Sequence, residues 1–185
     1  MIKKNLQVAP TENPVVLCEG KFIRLVKHGW WEYAQRNNCC GIVIILAMTR
    51  DKKVILIEQY RIPVARNVIE FPAGLVGDIN PKKKESILTS AKREFKEETG
   101  YQAGKMVRIT EGPVSAGFSP DIVTILLARD IRKIARGGGD GTEFIKVHEV
   151  PFAKVDAWLD QKRKKGCLVD PKIYAGLYWL KKYNG

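Results

Sequence analysis

The sequence predicts an α+β domain arranged as an α/β/α sandwich, with a mixed central sheet and an antiparallel strand segment at its N-terminus. Three observations lead there. The run Gly41 to Met48 is rich in β-branched residues and reads as a buried central strand. Ile87, Ala91 and Phe95 recur at i, i+4 and i+8, the spacing of one apolar helix face. Strand-like segments stand before, between and after two helical regions, an order that layers helices against a sheet.

Taken in order, residues 14–34 alternate loosely through Val15, Leu17, Phe22, Leu25 and Tyr33, which suits one or two antiparallel strands. After the strand at 41–48, the polar turn Arg50-Asp51-Lys52-Lys53 leads to a second strand, Val54 to Glu58, and the two are expected to pair as a hairpin. Residues 61–84 read as a loop region punctuated by Pro63, Pro72, Gly74, Gly77 and Pro81, with a short apolar stretch from Val68 to Phe71. A helix follows over 85–99, with Leu88 beside its apolar face and Gly100 stopping it. Ile122–Leu127 and Glu143–Val150 are further strands. A final helical region, 152–183, is interrupted near 166–171, where Asp170 and Pro171 suit a helix N-terminus. Leu177 and Leu180 give that last helix a packing face.

Composition excludes several classes. Of 185 residues, 45% are hydrophobic and 28% charged, which excludes a disordered tail, a collagen-like fibre and a disulfide-stapled mini-protein. The longest apolar run is far short of the roughly 20 residues that span a bilayer, so no membrane association is expected. The first ten residues carry two lysines but no apolar stretch behind them, so no signal peptide is expected. Cys18, Cys39, Cys40 and Cys167 show no metal-binding spacing, which suits reduced thiols in a cytoplasmic protein. A formal net charge of +12 favours an anionic partner. The basic residues are spread along the chain, however, with short clusters only at 82–84 and 162–165.

The helix at 85–99 has a second face that amphipathicity does not explain. Glu94, Glu97 and Glu98 lie at i, i+3 and i+4, so three carboxylates crowd one side of one turn. They also stand at the C-terminal end, where the helix dipole disfavours negative charge. Arg93 can neutralise one of them. A divalent cation can neutralise the others, and ligation by carboxylate oxygens is what Mg²⁺ or Mn²⁺ prefers.

From Glu85 to Tyr101, with Arg93, Glu94, Phe95, Glu97, Glu98 and Gly100 between, the chain resembles the Nudix box, G-x5-E-x7-R-E-U-x-E-E-x-G-U with U a bulky apolar residue. The upstream glycine departs from the pattern: ten residues separate Gly74 from Glu85 where the family has five. A lengthened loop over 77–84 accounts for this and leaves the role of Glu85 open. Glu58-Gln59-Tyr60-Arg61, Glu70-Phe71-Pro72-Ala73-Gly74, the loop 115–121, Trp31-Glu32 with Arg36, and Glu143–His148 are similar to the ADP-ribose pyrophosphatase and nucleoside-diphosphate-sugar hydrolase group. The resemblance runs over roughly residues 15–180.

The resemblance implies a Nudix fold over the whole chain as one domain, 1–185, with N-terminal strands in 1–40 and a catalytic core in 41–185. It implies metal-dependent cleavage of a pyrophosphate bond by water, on an anionic nucleotide-sugar substrate such as ADP-ribose or GDP-mannose. Glu94 and Glu98 would be the principal ligands of Mg²⁺, or of Mn²⁺, with the backbone carbonyl of Ala73 as a further one. Arg93 would orient Glu97 through a bidentate ion pair. Glu143, which follows the glycine-rich stretch 137–141 expected to be mobile, would be the base or another metal ligand. Asp121 is the second candidate for the base, and Asp140 stays open. Arg61 would grip a phosphate or terminal sugar. Glu70 would meet sugar hydroxyls or water, and Phe118 and Ser119 would close over the sugar. Trp31 would stack on a base, or else lie in the core or a subunit interface. His28 and His148 are read as bystanders.

The group is usually homodimeric, and the segment 15–38, with Trp30 and Trp31, would reach across to a partner. Two alternatives remain: hydrolysis of another nucleotide, such as coenzyme A or a dinucleotide, and a Nudix module that holds nucleic acid without cleaving it. The intact set Glu94, Glu97 and Glu98 argues against the second, so no nucleic-acid partner is expected.

Overall fold

A computed structural model describes residues 10–77, 85–139 and 144–184. The chain opens with strands β1 (Val15–Glu19), β2 (Ile23–His28) and β3 (Trp31–Arg36), then β4 (Gly41–Ala47) and β5 (Lys53–Arg61). Strands β6 (Arg66–Glu70) and β7 (Ala73–Val76) precede helix α1 (Ile87–Thr99). After it come β8 (Tyr101–Gln102), β9 (Lys105–Pro113), β10 (Ile122–Arg129), β11 (Arg132–Lys133) and β12 (Ile145–Pro151). Helix α2 (Val155–Lys164), strand β13 (Leu168–Val169) and helix α3 (Lys172–Asn184) complete the order.

Strands β1, β2 and β3 form a three-stranded antiparallel sheet, one strand more than the alternation predicted. Two mixed four-stranded sheets make the centre, ordered β7-β4-β10-β9 and β12-β5-β6-β13. In the first, β4 runs parallel to β10; in the second, β13 runs parallel to β6.

The hairpin expected between the strands at 41–48 and 54–58 does not form. The chain does reverse there: the Thr49 N–H donates to the Lys53 carbonyl at 2.8 Å, and Lys52 takes a left-handed φ of 57°. Beyond the turn a single bridge, Met48 to Val54, joins the strands before each enters a different sheet. Both strands are apolar on both faces, so each is buried by layers above and below and takes edge partners from distant parts of the chain. On β4, Ile44 and Leu46 join a core cluster with Leu159 of α2 and Ile173, Leu177 and Leu180 of α3. The alternate residues Val43, Ile45 and Ala47 join a second cluster with Ala91 and Phe95 of α1. Strand β5 divides likewise, Val54 and Leu56 to the first and Ile55 to the second. Helices therefore cover both faces of the paired sheets, the α/β/α arrangement.

Local chemistry sets the helix ends. Ser86 caps α1, its hydroxyl accepting from the Thr89 N–H at 3.1 Å, a contact worth about 1 kcal/mol. Glu85 therefore precedes the helix and does not open it. Gly100 ends α1 in the left-handed region, φ 72°, and its N–H reaches the Lys96 carbonyl at 2.8 Å. Leu88, beside the apolar face, is exposed. Asp170 caps α3 as expected, accepting from the Lys172 N–H at 2.8 Å. The region predicted as loop, 61–84, contains β6 and β7, and β9 lies where no strand was predicted.

Candidate active site

Strands β6 and β7 belong to different sheets, and the chain crosses between them at Phe71-Pro72, where the Pro72 carbonyl accepts from the Ile45 N–H at 2.8 Å. The segment Glu70–Gly74 thus joins the two sheets at one end of the sandwich. Helix α1 packs along β7 and brings its acidic face onto this segment. Glu98 is 5% exposed, and one of its carboxylate oxygens accepts from the Ala73 N–H at 3.0 Å. One turn earlier, Glu94 presses against Gly74 so closely that a Cβ there would stand 2.1 Å from the Glu94 Cγ. Only glycine permits that approach. The structure therefore brings Ala73, Gly74, Glu94 and Glu98 together.

Arg93 braces the cluster. Its Nη1 is 2.7 Å from a Glu94 oxygen and 3.3 Å from a Glu97 oxygen. The two-point contact is made elsewhere: Nε and Nη2 each donate to a separate oxygen of Glu85, both at 3.3 Å. Glu97, the expected bidentate partner, is met by Nη1 at 3.3 Å, and its side chain is 41% exposed. Glu85, with its side chain 17% exposed, sits ahead of the first turn, where both guanidinium edges reach it. Burial works against the Arg93 charge, but Glu85 and Glu94 outweigh it and raise its pKa. In return, the Arg93 hydrogen bond holds the Glu85 carboxyl below its ordinary range.

Among the described residues, no three His, Cys, Asp or Glu side chains are arranged to hold a metal ion by themselves. Two carboxylates and a neighbouring backbone carbonyl still fit a small hard cation. Mg²⁺ is ordinarily held by one or two carboxylates and keeps its remaining positions for water and substrate phosphate. The donor set at Glu94, Glu98 and Ala73 is of that kind.

The other expected residues fall into two groups. Arg61 and Glu70 pair with each other, Nε to Oε2 at 2.8 Å, near the crossing between the sheets. Glu70, read as meeting sugar hydroxyls or water, thus has a protein partner. Trp31, Phe118, Ser119 and Asp121 gather where the loop 114–121 meets the N-terminal sheet. The Trp31 indole N–H donates to the Gly117 carbonyl at 3.0 Å, and the Ala34 N–H to the Phe118 carbonyl at 2.9 Å. Trp31 and Phe118 are exposed, 49% and 63%. The Ser119 hydroxyl accepts from the Asp121 N–H at 3.0 Å, and Asp121 pairs with Arg36 at 3.3 Å. Asp121 is thus occupied by an ion pair.

Glu143 and Asp140 lie outside the described residues. The glycines before them were expected to be mobile, but Gly138 and Gly139 donate hydrogen bonds to the carbonyls of Glu98 and Glu97, at 2.9 and 3.1 Å. His148 stands apart from the carboxylate cluster, pairing with Glu58 at 2.8 Å and packing edge-on to Trp158.

Sequence reasoning missed the Glu85–Arg93 contact and the Asp121–Arg36 pair. The eight-residue spacing of Glu85 and Arg93 is a weak signal once Glu85 leaves the helix. For Gly74, the signal was its place in the Glu70–Gly74 run, although its steric role needs the packed helix to be seen.

Residues 41–171 match the family model described as NUDIX domain. An ADP-ribose pyrophosphatase of Bacillus subtilis (strain 168) is 38% identical over 111 residues, 60% of this chain and 57% of that protein. A methanol dehydrogenase activator of Bacillus methanolicus is 31% identical over 141 residues, covering 76% and 71%. A GDP-mannose pyrophosphatase of Escherichia coli (strain K12) is 31% identical over 131 residues, covering 66% and 64%. A solved structure described as an ADP compounds hydrolase superposes with a TM-score of 0.70 at 21% identity, covering 97% of both chains, and so shares the fold.

Proposed function

The chain belongs to the Nudix family, and from that premise we propose that it hydrolyses the pyrophosphate bond of a nucleoside diphosphate sugar of the ADP-ribose or GDP-mannose type. The products are a nucleoside monophosphate and a sugar phosphate, released by attack of water at phosphorus. The observation that carries this reading is the meeting of Glu94 and Glu98 with Ala73 and Gly74, braced by Arg93 and Glu85. The names of the Bacillus subtilis and Escherichia coli relatives support the substrate class.

In this reading Glu94, Glu98 and the Ala73 carbonyl hold Mg²⁺ or Mn²⁺, with Glu143 as a further ligand or as the base. When bound, the ion would supply Lewis acidity that activates water and neutralises charge on the phosphate oxygens. The protein's own groups do the rest. Arg93 fixes the Glu94 carboxylate through a charge-assisted bond, and the Ala73 N–H fixes one oxygen of Glu98. Arg61, held in place by Glu70, presents its remaining donors to a phosphate or sugar oxygen. Trp31 and Phe118 offer exposed ring faces to the base and sugar, with Ser119 beside them. Asp121 is the alternative base and would have to leave Arg36 to act.

Homodimerisation belongs to the same proposal. Val15, Leu17 and Ile23 of the N-terminal sheet, with Phe22 and Trp30 in its turns, are all exposed, apolar groups that a second copy would cover.

The test is incubation with ADP-ribose, GDP-mannose, NADH and coenzyme A in Mg²⁺, with the products identified by chromatography. Release of nucleoside monophosphate and sugar phosphate from one of the first two supports the reading. Cleavage of coenzyme A alone, or of nothing by folded protein, contradicts it.

A further inference from the structure

We propose that the glycine strap 137–139 is a positioning element of the hydrolytic site, holding the last turn of α1 through the backbone of Glu97 and Glu98. The proposal rests on the reading of Glu98 as a metal ligand given above.

A helix leaves its last carbonyls without partners inside the helix. In α1 the Lys96 carbonyl is taken by the Gly100 N–H, and the next two are taken from outside. Gly139 donates to Glu97 and Gly138 to Glu98, so the backbone of each of these acids is held by one strap residue. The contact extends past the helix end, where the Gly100 carbonyl accepts from Ile134 and Ala135 at 2.9 and 3.0 Å. It then runs on into the pairing of β8 with β11. The donated N–H groups also meet the negative end of the helix dipole, where Glu94, Glu97 and Glu98 accumulate charge.

The approach is closer than side chains allow. Gly137, Gly138 and Gly139 have φ of 74°, 121° and 93°. A Cβ at Gly137 would lie 2.4 Å from the Thr99 carbonyl carbon and 2.7 Å from the Glu98 oxygen; one at Gly100 would lie 2.1 Å from the Ala135 oxygen. The start of β12 is anchored at the same place, since the Ile145 N–H donates to the Gly138 carbonyl at 3.3 Å. Backbone that holds the carboxylate helix thus also holds the start of β12. A displaced strap would disturb both at once.

The test compares Gly137→Ala with Gly166→Ala. Gly166 has a similar positive φ, 87°, but open space around its missing Cβ, so it isolates the backbone penalty. Both variants should lower the thermal midpoint. Gly137→Ala alone should lower kcat, by about tenfold or more with KM changed less than about twofold, as expected when a supporting contact behind a metal ligand is lost. Equal kcat in the two variants overturns the proposal. If Gly137→Ala does not fold, amide hydrogen exchange on the unaltered protein decides. Gly138 and Gly139 should be protected like the amides of α1, and free exchange there beside a protected helix overturns the strap. Unaltered protein that cleaves no nucleotide sugar defeats the functional reading instead, and the exchange experiment still tests the strap.

Discussion

Arg93 and Glu85 meet edge to edge, Nε to Oε1 and Nη2 to Oε2, each at 3.3 Å. That leaves Nη1 for Glu94, at 2.7 Å. A residue outside the helix therefore sets the orientation of a guanidinium that in turn restrains a proposed metal ligand.

Glu85→Gln keeps the size of the side chain and removes its charge. The expected result is a folded protein whose kcat is lower by about tenfold, as is common when a contact supporting a ligand is lost. Arg93→Lys should behave alike, because an ammonium cannot make the two-point contact. Steady-state kinetics with circular dichroism checks both.

Gly74→Ala drives a methyl group into Glu94. Overpacking of this kind costs about 1–3 kcal/mol, and Glu94 must shift to relieve it. Activity should drop on the order of a hundredfold, the scale of a small misplacement in a catalytic constellation. Thermal unfolding and an assay of the same preparation separate the two effects.

Stability should also depend on pH through Glu58, a group to which the proposed function assigns no role. Burial pushes its pKa up, but hydrogen bonds from Lys162 and His148 outweigh this and bring it to about 2, against an ordinary 4.5. A depressed carboxyl contributes stability that is fully present above 4.5 and is lost as pH falls towards 2. Burial lowers the pKa of His148 below 6.5 despite Glu58, so the unfolded state takes up its proton first and stability also declines as pH falls below 6.5. Thermal midpoints should therefore fall in two stages, and Glu58→Gln should flatten the second.

The exposed apolar sheet predicts a dimer. Light scattering should give twice the chain mass, and Phe22→Glu combined with Ile23→Glu should give the monomer. A monomeric unaltered protein would contradict that part of the proposal.

Much of the centre was legible because its signals are local. The β-branched run at 41–48 and the spacing of Ile87, Ala91 and Phe95 reflect burial that each segment undergoes for itself. Partnership is not local, and so the reversal at Thr49–Lys53 was read correctly while the pairing across it was not. Strand β9 escaped because its residues are largely half-exposed and lack a clean alternation. The glycines at 137–139 looked like a flexible stretch. Their use as a cap is visible only once the carbonyls of Glu97 and Glu98 are seen to need donors.

The most direct test of the central claim is hydrolysis of ADP-ribose and GDP-mannose in Mg²⁺ by the unaltered protein, Glu94→Gln and Glu98→Gln, all shown to be folded. The account predicts cleavage to nucleoside monophosphate and sugar phosphate by the unaltered protein, with a loss of roughly a hundredfold or more in either variant. Undiminished cleavage by both variants would place the hydrolytic centre elsewhere and contradict the account.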